Sequence, residues 1–251
     1  MSETISTNQT NDQKMRTLHP SLRGQRVVIV GGNSGTGYAA AECALAEGAQ
    51  VTIASSDGAN VEAALARLGE SASGGVVNVR EEASVARFFG ELADFDHLIY
   101  AAGDWGPPLL SVAITRMDFR SAGEALNVNF WGALMAIKHA QAHLSSSGSI
   151  TLTDKILAHK AQKGTVPSTV FEHMIRGLAV DLAPVRVNAV CPGFTLSDEL
   201  ANPELIREQT QHLLIPRGGD PAEMAQAYLY LMRGGYTTGQ VLVVDGGLML
   251  V

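Results

Sequence analysis

Apolar residues in this chain fall into short β-branched runs separated by longer stretches of helical spacing. The segment Arg26 to Val30 (RVVIV) stops at Gly31, and an Ala-rich helical pattern runs from Gly35 to Gly48. The unit then repeats. Val51 to Ala54, Gly75 to Val79, His97 to Ala101, Ser149 to Leu152, Arg186 to Val190 and Val241 to Val244 read as further strands. Helices are expected at Val61 to Leu68, Ser84 to Leu92, Phe119 to Leu144, Val166 to Leu182 and Pro221 to Met232. Alternation of this kind requires right-handed crossovers and a parallel sheet covered on both faces, so the fold class is α/β, three-layer and doubly wound. A polar, poorly periodic stretch from Leu196 to Pro216 follows a strand end, where such sheets bind ligands. It reads as a substrate flap at about residues 195–216.

With 251 residues and 46% apolar content, one domain is expected, over 22–251. Residues 1–21 are rich in Ser, Thr, Asn and Gln, lack the apolar core of a signal peptide, and read as a flexible tail. Net charge is −7 with scattered basic residues, which argues against nucleic-acid and anionic-membrane partners. No apolar run approaches the ~20 residues that span a bilayer. Cys43 and Cys191 have no metal-ligand spacing, so no metal site is expected and a reducing cytoplasm fits.

The chemistry begins at Gly31, Gly35 and Gly37, which form G-x-x-x-G-x-G between a strand and a helix. Glycines let the backbone approach a diphosphate, and the helix N-terminus offers free N–H groups. Asn33, Ser34 and Thr36 lie between these glycines and count with them as cofactor contacts. The architecture is therefore Rossmann-type.

Five separated motifs, VGGNSGTG, YAAG (Tyr100 to Gly103), NVNFWG (Asn127 to Gly132), RVNAVCPG (Arg186 to Gly193) and TGQVLVVDGG (Thr238 to Gly247), resemble the short-chain dehydrogenase/reductase family from about Leu22 to Gly247. The resemblance implies NAD or NADP, a small-molecule substrate and a homodimer or homotetramer. It places Asn78 and Val79 beside the adenine and Ala101, Ala102 and Gly103 under the cofactor. Pro192, Gly193, Thr195 and Ser197 come near the nicotinamide. Asn78 replaces a frequent Asp, and YAAG replaces the commoner NNAG. At the end of the second strand, where family members carry an acidic residue for NAD or an Arg for NADP, this chain has Ser55 and Ser56. The missing carboxylate favours NADP slightly, while Asp57 opposes a 2′-phosphate.

The family's catalytic set is Ser, Tyr, Lys four residues later, and Asn. Only the Asn is matched, as Asn129. The serine segment reads SITLTDK, placing Asp154 and Lys155 there. Counting back from RVNAVCPG gives Gly164 and Ser168 for the Tyr and Lys, whereas counting forward from the fifth strand gives Ser168 and Glu172. No Tyr lies between Tyr100 and Tyr228. Loss of a positioned general acid removes ~10² to 10⁴ in rate. Lys155, His159, Lys160 and Lys163 form a candidate replacement cluster, with Lys155 as acid or Schiff-base amine, His159 as proton carrier and Asp154 as acid or ion-pair partner. The competing reading is a solvated loop.

His139 and His143 stand four apart on a helix, yet no further ligand completes a metal set, so a surface or interface face is expected. Trp105, Gly106, Pro107 and Pro108 either line the substrate pocket or pack under their loop. Phe130 and Trp131 are expected in the core or an oligomer interface. Three functions follow: an NAD(P)-dependent oxidoreductase with a non-standard catalytic set acting on a small carbonyl or alcohol compound; a silent dinucleotide-binding sensor or partner subunit; and a non-redox enzyme of elimination or cyclisation.

Overall fold

A computed structural model of the chain describes residues 21–103, 114–156, 159–160, 170–197 and 202–251. Among the described residues seven strands, β1 (Arg26–Val30), β2 (Gln50–Ser55), β3 (Ala72–Val76), β4 (Phe95–Tyr100), β5 (Leu144–Thr153), β6 (Arg186–Pro192) and β7 (Val241–Val244), form one parallel sheet in the order β3-β2-β1-β4-β5-β6-β7. The helices are α1 (Gly35–Ala46), α2 (Gly58–Leu68), α3 (Glu82–Gly90), α4 (Phe119–Leu126), α5 (Ala133–Ala140), α6 (Val170–Asp181), α7 (Pro203–Thr210) and α8 (Pro221–Arg233).

The strands read as continuous apolar runs because both faces of the sheet are buried. In β1, Val28 and Val30 join a core with α3, α5 and α6, while Val27 and Ile29 join the opposite core with α1, α2 and α8. A fully buried aliphatic side chain of this kind contributes roughly 1.5–3 kcal/mol. Strand order reverses at β1, which pairs with both β2 and β4. The crevice beyond their carboxyl ends is where such sheets receive ligands.

Four expectations shift. The third strand is Ala72–Val76 rather than Gly75 to Val79. Helices on both faces crowd it: a Cβ on Gly74 would stand 2.7 Å from Val61 Cγ1, and one on Gly75 would stand 2.9 Å from the Phe88 ring. Small residues therefore make the strand, and the buried Val77 and Val79 follow it. The fifth strand extends back to Leu144, which pairs with Phe95 before a register shift at Phe95/His97. Gly148 is required there, since a Cβ would meet Asp96 O at 2.0 Å.

The expected helix from Phe119 to Leu144 ends at Ala140 and contains a π segment over Asn127–Gly132. The Tyr100 hydroxyl donates to Val128 O at 2.6 Å inside that segment, holding a carbonyl that the widened turn releases. Gly132 leaves room for it, because a Cβ would lie 2.6 Å from that hydroxyl. Finally, the polar stretch after β6 contains α7, started by Asn202, whose side chain accepts from Glu204 N and Leu205 N, with Pro203 in the first turn. Among the described residues no helix is long and apolar enough to cross a membrane.

Candidate functional site

The glycine turn sits where β1 ends. Gly31 has φ +86, and its N–H donates to Ala54 O at 2.7 Å. A Cβ on Gly31 would lie 2.3 Å from Ala102 N, and one on Gly37 would lie 2.2 Å from Gly31 O. Only glycine lets the turn seat against Ala101 and Ala102, whose N–H groups both donate to Val30 O. Gly35 also has positive φ. Ser34 stands extended at the N-cap of α1, its side chain makes no capping bond, and the first turn carries no acidic residue. The amides that open α1 are thus left without a side-chain cap, which fits a diphosphate. Thr36 is tied down from behind: the hydroxyl of fully buried Tyr228 bonds both Thr36 and Thr153, the latter at 2.5 Å.

The other expected cofactor residues lie along the same edge. Ser55 ends β2 and Ser56 follows it. Asp57 caps α2, accepting from Asn60 N at 3.2 Å. Asn78 donates through Nδ2 to Glu81 and accepts Arg80 N on Oδ1, while Val79 is buried beside it. Ala101, Ala102 and Gly103 follow β4. Pro192 closes β6, and Gly193 donates to Val244 O at 2.9 Å. A Cβ on Gly193 would stand 2.6 Å from Asp245 Cα. Thr195 bridges to Gly219 and donates to Gly193 O; Ser197 is exposed.

The catalytic candidates gather at the end of β5. Asp154 is 1% exposed and Lys155 7% exposed, so neither stands on a solvated loop. Register explains the first: Thr153 pairs with Val190, Asp154 N donates to Val190 O, and alternation turns Asp154 away from Thr153 and Tyr228. Asp154 Oδ1 accepts its neighbour's backbone N–H at 2.7 Å, and Oδ2 lies 2.6 Å from His159 Nε2. The other imidazole nitrogen, Nδ1, is 3.5 Å from Glu172 Oε2 on α6. Burial pushes the Asp154 carboxyl up, the hydrogen bonds from His159 and Lys155 pull it down, and Glu172 adds to the upward push. Cys191, at the end of β6, completes the group: donor atoms of Asp154, His159 and Cys191 all lie within 4.8 Å of one another. Burial raises its thiol pKa, and Asp154 and Asp245 raise it further.

Glu172 is named in the sequence only as one counting outcome for the family Lys, and Cys191 not at all as a site residue. The adjacency of β5 and β6 was the signal that brings Cys191 in. Asn129 is buried within the π segment. Lys160 does not face the cluster; its ammonium donates to Leu248 O at 2.8 Å and to Val251 O. Lys163, Gly164, Ser168 and Trp105 to Pro108 lie outside the described residues.

His139 and His143 meet different carboxylates, Glu82 at 3.1 Å and Asp94 at 3.5 Å, and His143 lies beyond the end of α5. Trp131 is not core: it is 54% exposed, with an edge-to-face contact to Phe130, which in turn meets Phe171.

Comparison with known proteins agrees with the fold. The family model described as enoyl-(acyl carrier protein) reductase matches residues 30–249. The short-chain dehydrogenase/reductase ATR9 of Stachybotrys chlorohalonatus is 31% identical, the match covering 92% of this chain and 99% of that protein. A solved small-chain dehydrogenase in complex with NADPH is 30% identical, with TM-score 0.76, covering 91% of this chain and all of that one. A third, described as MalC reductase/Diels-Alderase from Malbranchea aurantiaca, is 25% identical with TM-score 0.82, over 92% of this chain and 97% of that one. The chain belongs to the short-chain dehydrogenase/reductase family.

Proposed function

We propose that this protein is an NAD(P)-dependent oxidoreductase acting on a small carbonyl or alcohol compound, with Asp154, Lys155 and His159 standing in for the family's Ser, Tyr and Lys. The observation that carries the reading is the 2.6 Å contact between Asp154 Oδ2 and His159 Nε2 at the carboxyl end of β5. There the family polarises the substrate oxygen. Relatives named as reductases and an NADPH-bound neighbour support the redox class.

The turn Gly31 to Gly37 would hold the diphosphate, and Ser55 and Ser56 the adenosine ribose, with NADP favoured because no carboxylate faces a 2′-phosphate from those two positions. The nicotinamide, when bound, supplies or accepts the hydride. Asp154 holds the imidazole of His159 in place at 2.6 Å, and the Glu172 carboxylate stands 3.5 Å from its other nitrogen. Lys155 is buried at the same strand end, where low dielectric would strengthen an amine's hold on a developing oxyanion.

The test is fluorescence titration of the full chain with NADPH and NADH, followed by a carbonyl panel with the tighter cofactor. NADPH oxidation that falls ~10² to 10⁴ in Asp154→Asn and His159→Asn supports the assignment. Tight binding with no oxidation across the panel overturns it in favour of the sensor or partner-subunit role. A second reading, non-redox cyclisation at the same cluster, draws on the neighbour described as a reductase/Diels-Alderase. Product formation without consumption of cofactor would select it.

A further inference from the structure

We propose that Asp154, His159 and Cys191 form a binding site for a single divalent transition-metal cation of the zinc type. Spacing along the sequence does not reveal it, because the ligands come from the end of β5, the segment after it and the end of β6. Parallel pairing of β5 with β6 brings them together, with donor atoms all within 4.8 Å of one another.

The chemistry of the donor set carries the argument. Asp154 is fully buried, and a buried carboxylate requires positive charge or several donors beside it. It has one backbone N–H and His159 Nε2. His159 itself lies between two carboxylates, Asp154 at Nε2 and Glu172 at Nδ1. A neutral imidazole carries one N–H and one lone pair, so it turns a lone pair toward one of these carboxylates. Glu172 is paired besides with Arg176 at 2.5 Å, whereas the side chain bonded to Asp154 is His159, at 2.6 Å. Additional positive charge between Nε2 and Asp154 Oδ2 resolves the conflict, as a proton or as a metal.

The thiol distinguishes the two. An imidazolium–carboxylate pair has no use for a sulfur, whereas Cys191 Sγ supplies the soft third ligand of an O, N, S set. Bond lengths of about 2.0 to 2.3 Å place tetrahedral ligands about 3.3 to 3.6 Å apart, so a cation moves His159 Nε2 away from Asp154 by about 0.7 Å and draws the widest-spaced pair of donors together by up to about 1.2 Å. Glu172, 3.5 Å from Nδ1, stands on the side where a carboxylate would fix the tautomer of a ligating histidine. Three protein ligands leave a fourth position open. Binding displaces the thiol proton, so the bound sulfur is a thiolate.

For its chemical use the site rests on the reading of this cluster as the group that polarises substrate oxygen: a cation with an open position does so as a Lewis acid, without the missing Tyr. Its existence does not depend on turnover, and the test does not use it. The full chain, stripped with chelator and free of cofactor, is titrated with Co²⁺ and followed by absorption, then by displacement with Zn²⁺. A saturable thiolate-to-cobalt charge-transfer band, one ion per chain, bleached by Zn²⁺, is the expected result. The band should persist in Cys43→Ser and vanish in Cys191→Ser and in His159→Asn, the latter guarding against a misfolded Cys191 variant. Glu172→Gln should weaken the Co²⁺ dissociation constant about 10- to 100-fold while far-ultraviolet circular dichroism stays unchanged. No charge-transfer band in the folded wild type, or a band that survives Cys191→Ser, overturns the proposal and leaves Asp154 and His159 as a bare proton-sharing pair. Reductase activity without metal binding sinks this inference alone; metal binding without hydride transfer sinks only the reading under Proposed function.

Discussion

Stability should fall in acid through one buried histidine. His97 lies in β4, 3% exposed, with Nδ1 2.8 Å from Ser149 Oγ and Nε2 2.9 Å from Gln25 Oε1. Because Gln25 Oε1 can only accept, Nε2 carries the proton and Nδ1 accepts from Ser149, which is the neutral ring. Burial foremost and the Arg186 charge after it, opposed by Asp96, together lower its pKa to about 4. Unfolded, the ring titrates near 6.5. Between these values the unfolded state binds the extra proton, so the contribution is complete above pH ~6.5 and is lost as pH falls toward 4. At about 1.4 kcal/mol per pH unit, the loss from pH 6.5 to 4.5 is roughly 2.5 kcal/mol. Urea unfolding of wild type and His97→Gln at pH 7 and pH 4.5 isolates it, since every other group cancels in the double difference. Wild type should lose about 2.5 kcal/mol more than the variant on acidification. Equal losses in both proteins would refute the reasoning and return the acid sensitivity to the carboxylates.

Three further outcomes follow from the site. Gly31→Ala sets a Cβ against Ala102 N at a φ of +86, costing of order 1–3 kcal/mol in strain and abolishing NADPH binding, measured by thermal melting and fluorescence titration. Tyr100→Phe keeps the buried ring but leaves Val128 O without its donor, so unfolding free energy should drop by about 1–3 kcal/mol; an unchanged melting temperature would show the π segment is held by other contacts. Ser55→Asp supplies a carboxylate at the end of β2 and should turn cofactor preference from NADPH toward NADH, read as the ratio of the two dissociation constants.

Strands with side chains on both faces were legible wherever those side chains were large. β1, β4, β6 and β7 stand within a residue or two of the apolar runs that announce them. β3 was misplaced because its sequence, ASGGV, is shaped by Val61, Ile53 and Phe88 on neighbouring elements rather than by strand preference. The π segment at Asn127–Gly132 was invisible for a related reason: its carbonyl is claimed by Tyr100, which lies 28 residues earlier in sequence. The helix α7 inside the expected flap was hidden by its polar surface, although Asn202 and Pro203 form a readable start signal.

By itself, the sequence determined the strand–helix alternation, the doubly wound class and the glycine turn, because these follow from period, from the need to bury apolar faces and from the steric freedom of single residues. Tertiary structure alone decided that Asp154 is buried rather than solvated, that His159 sits between it and Glu172, and that Cys191 joins them. Those contacts span the pairing of β5 with β6 and the packing of α6. Their geometry is set by strand register and helix placement, quantities that no local pattern in the chain encodes.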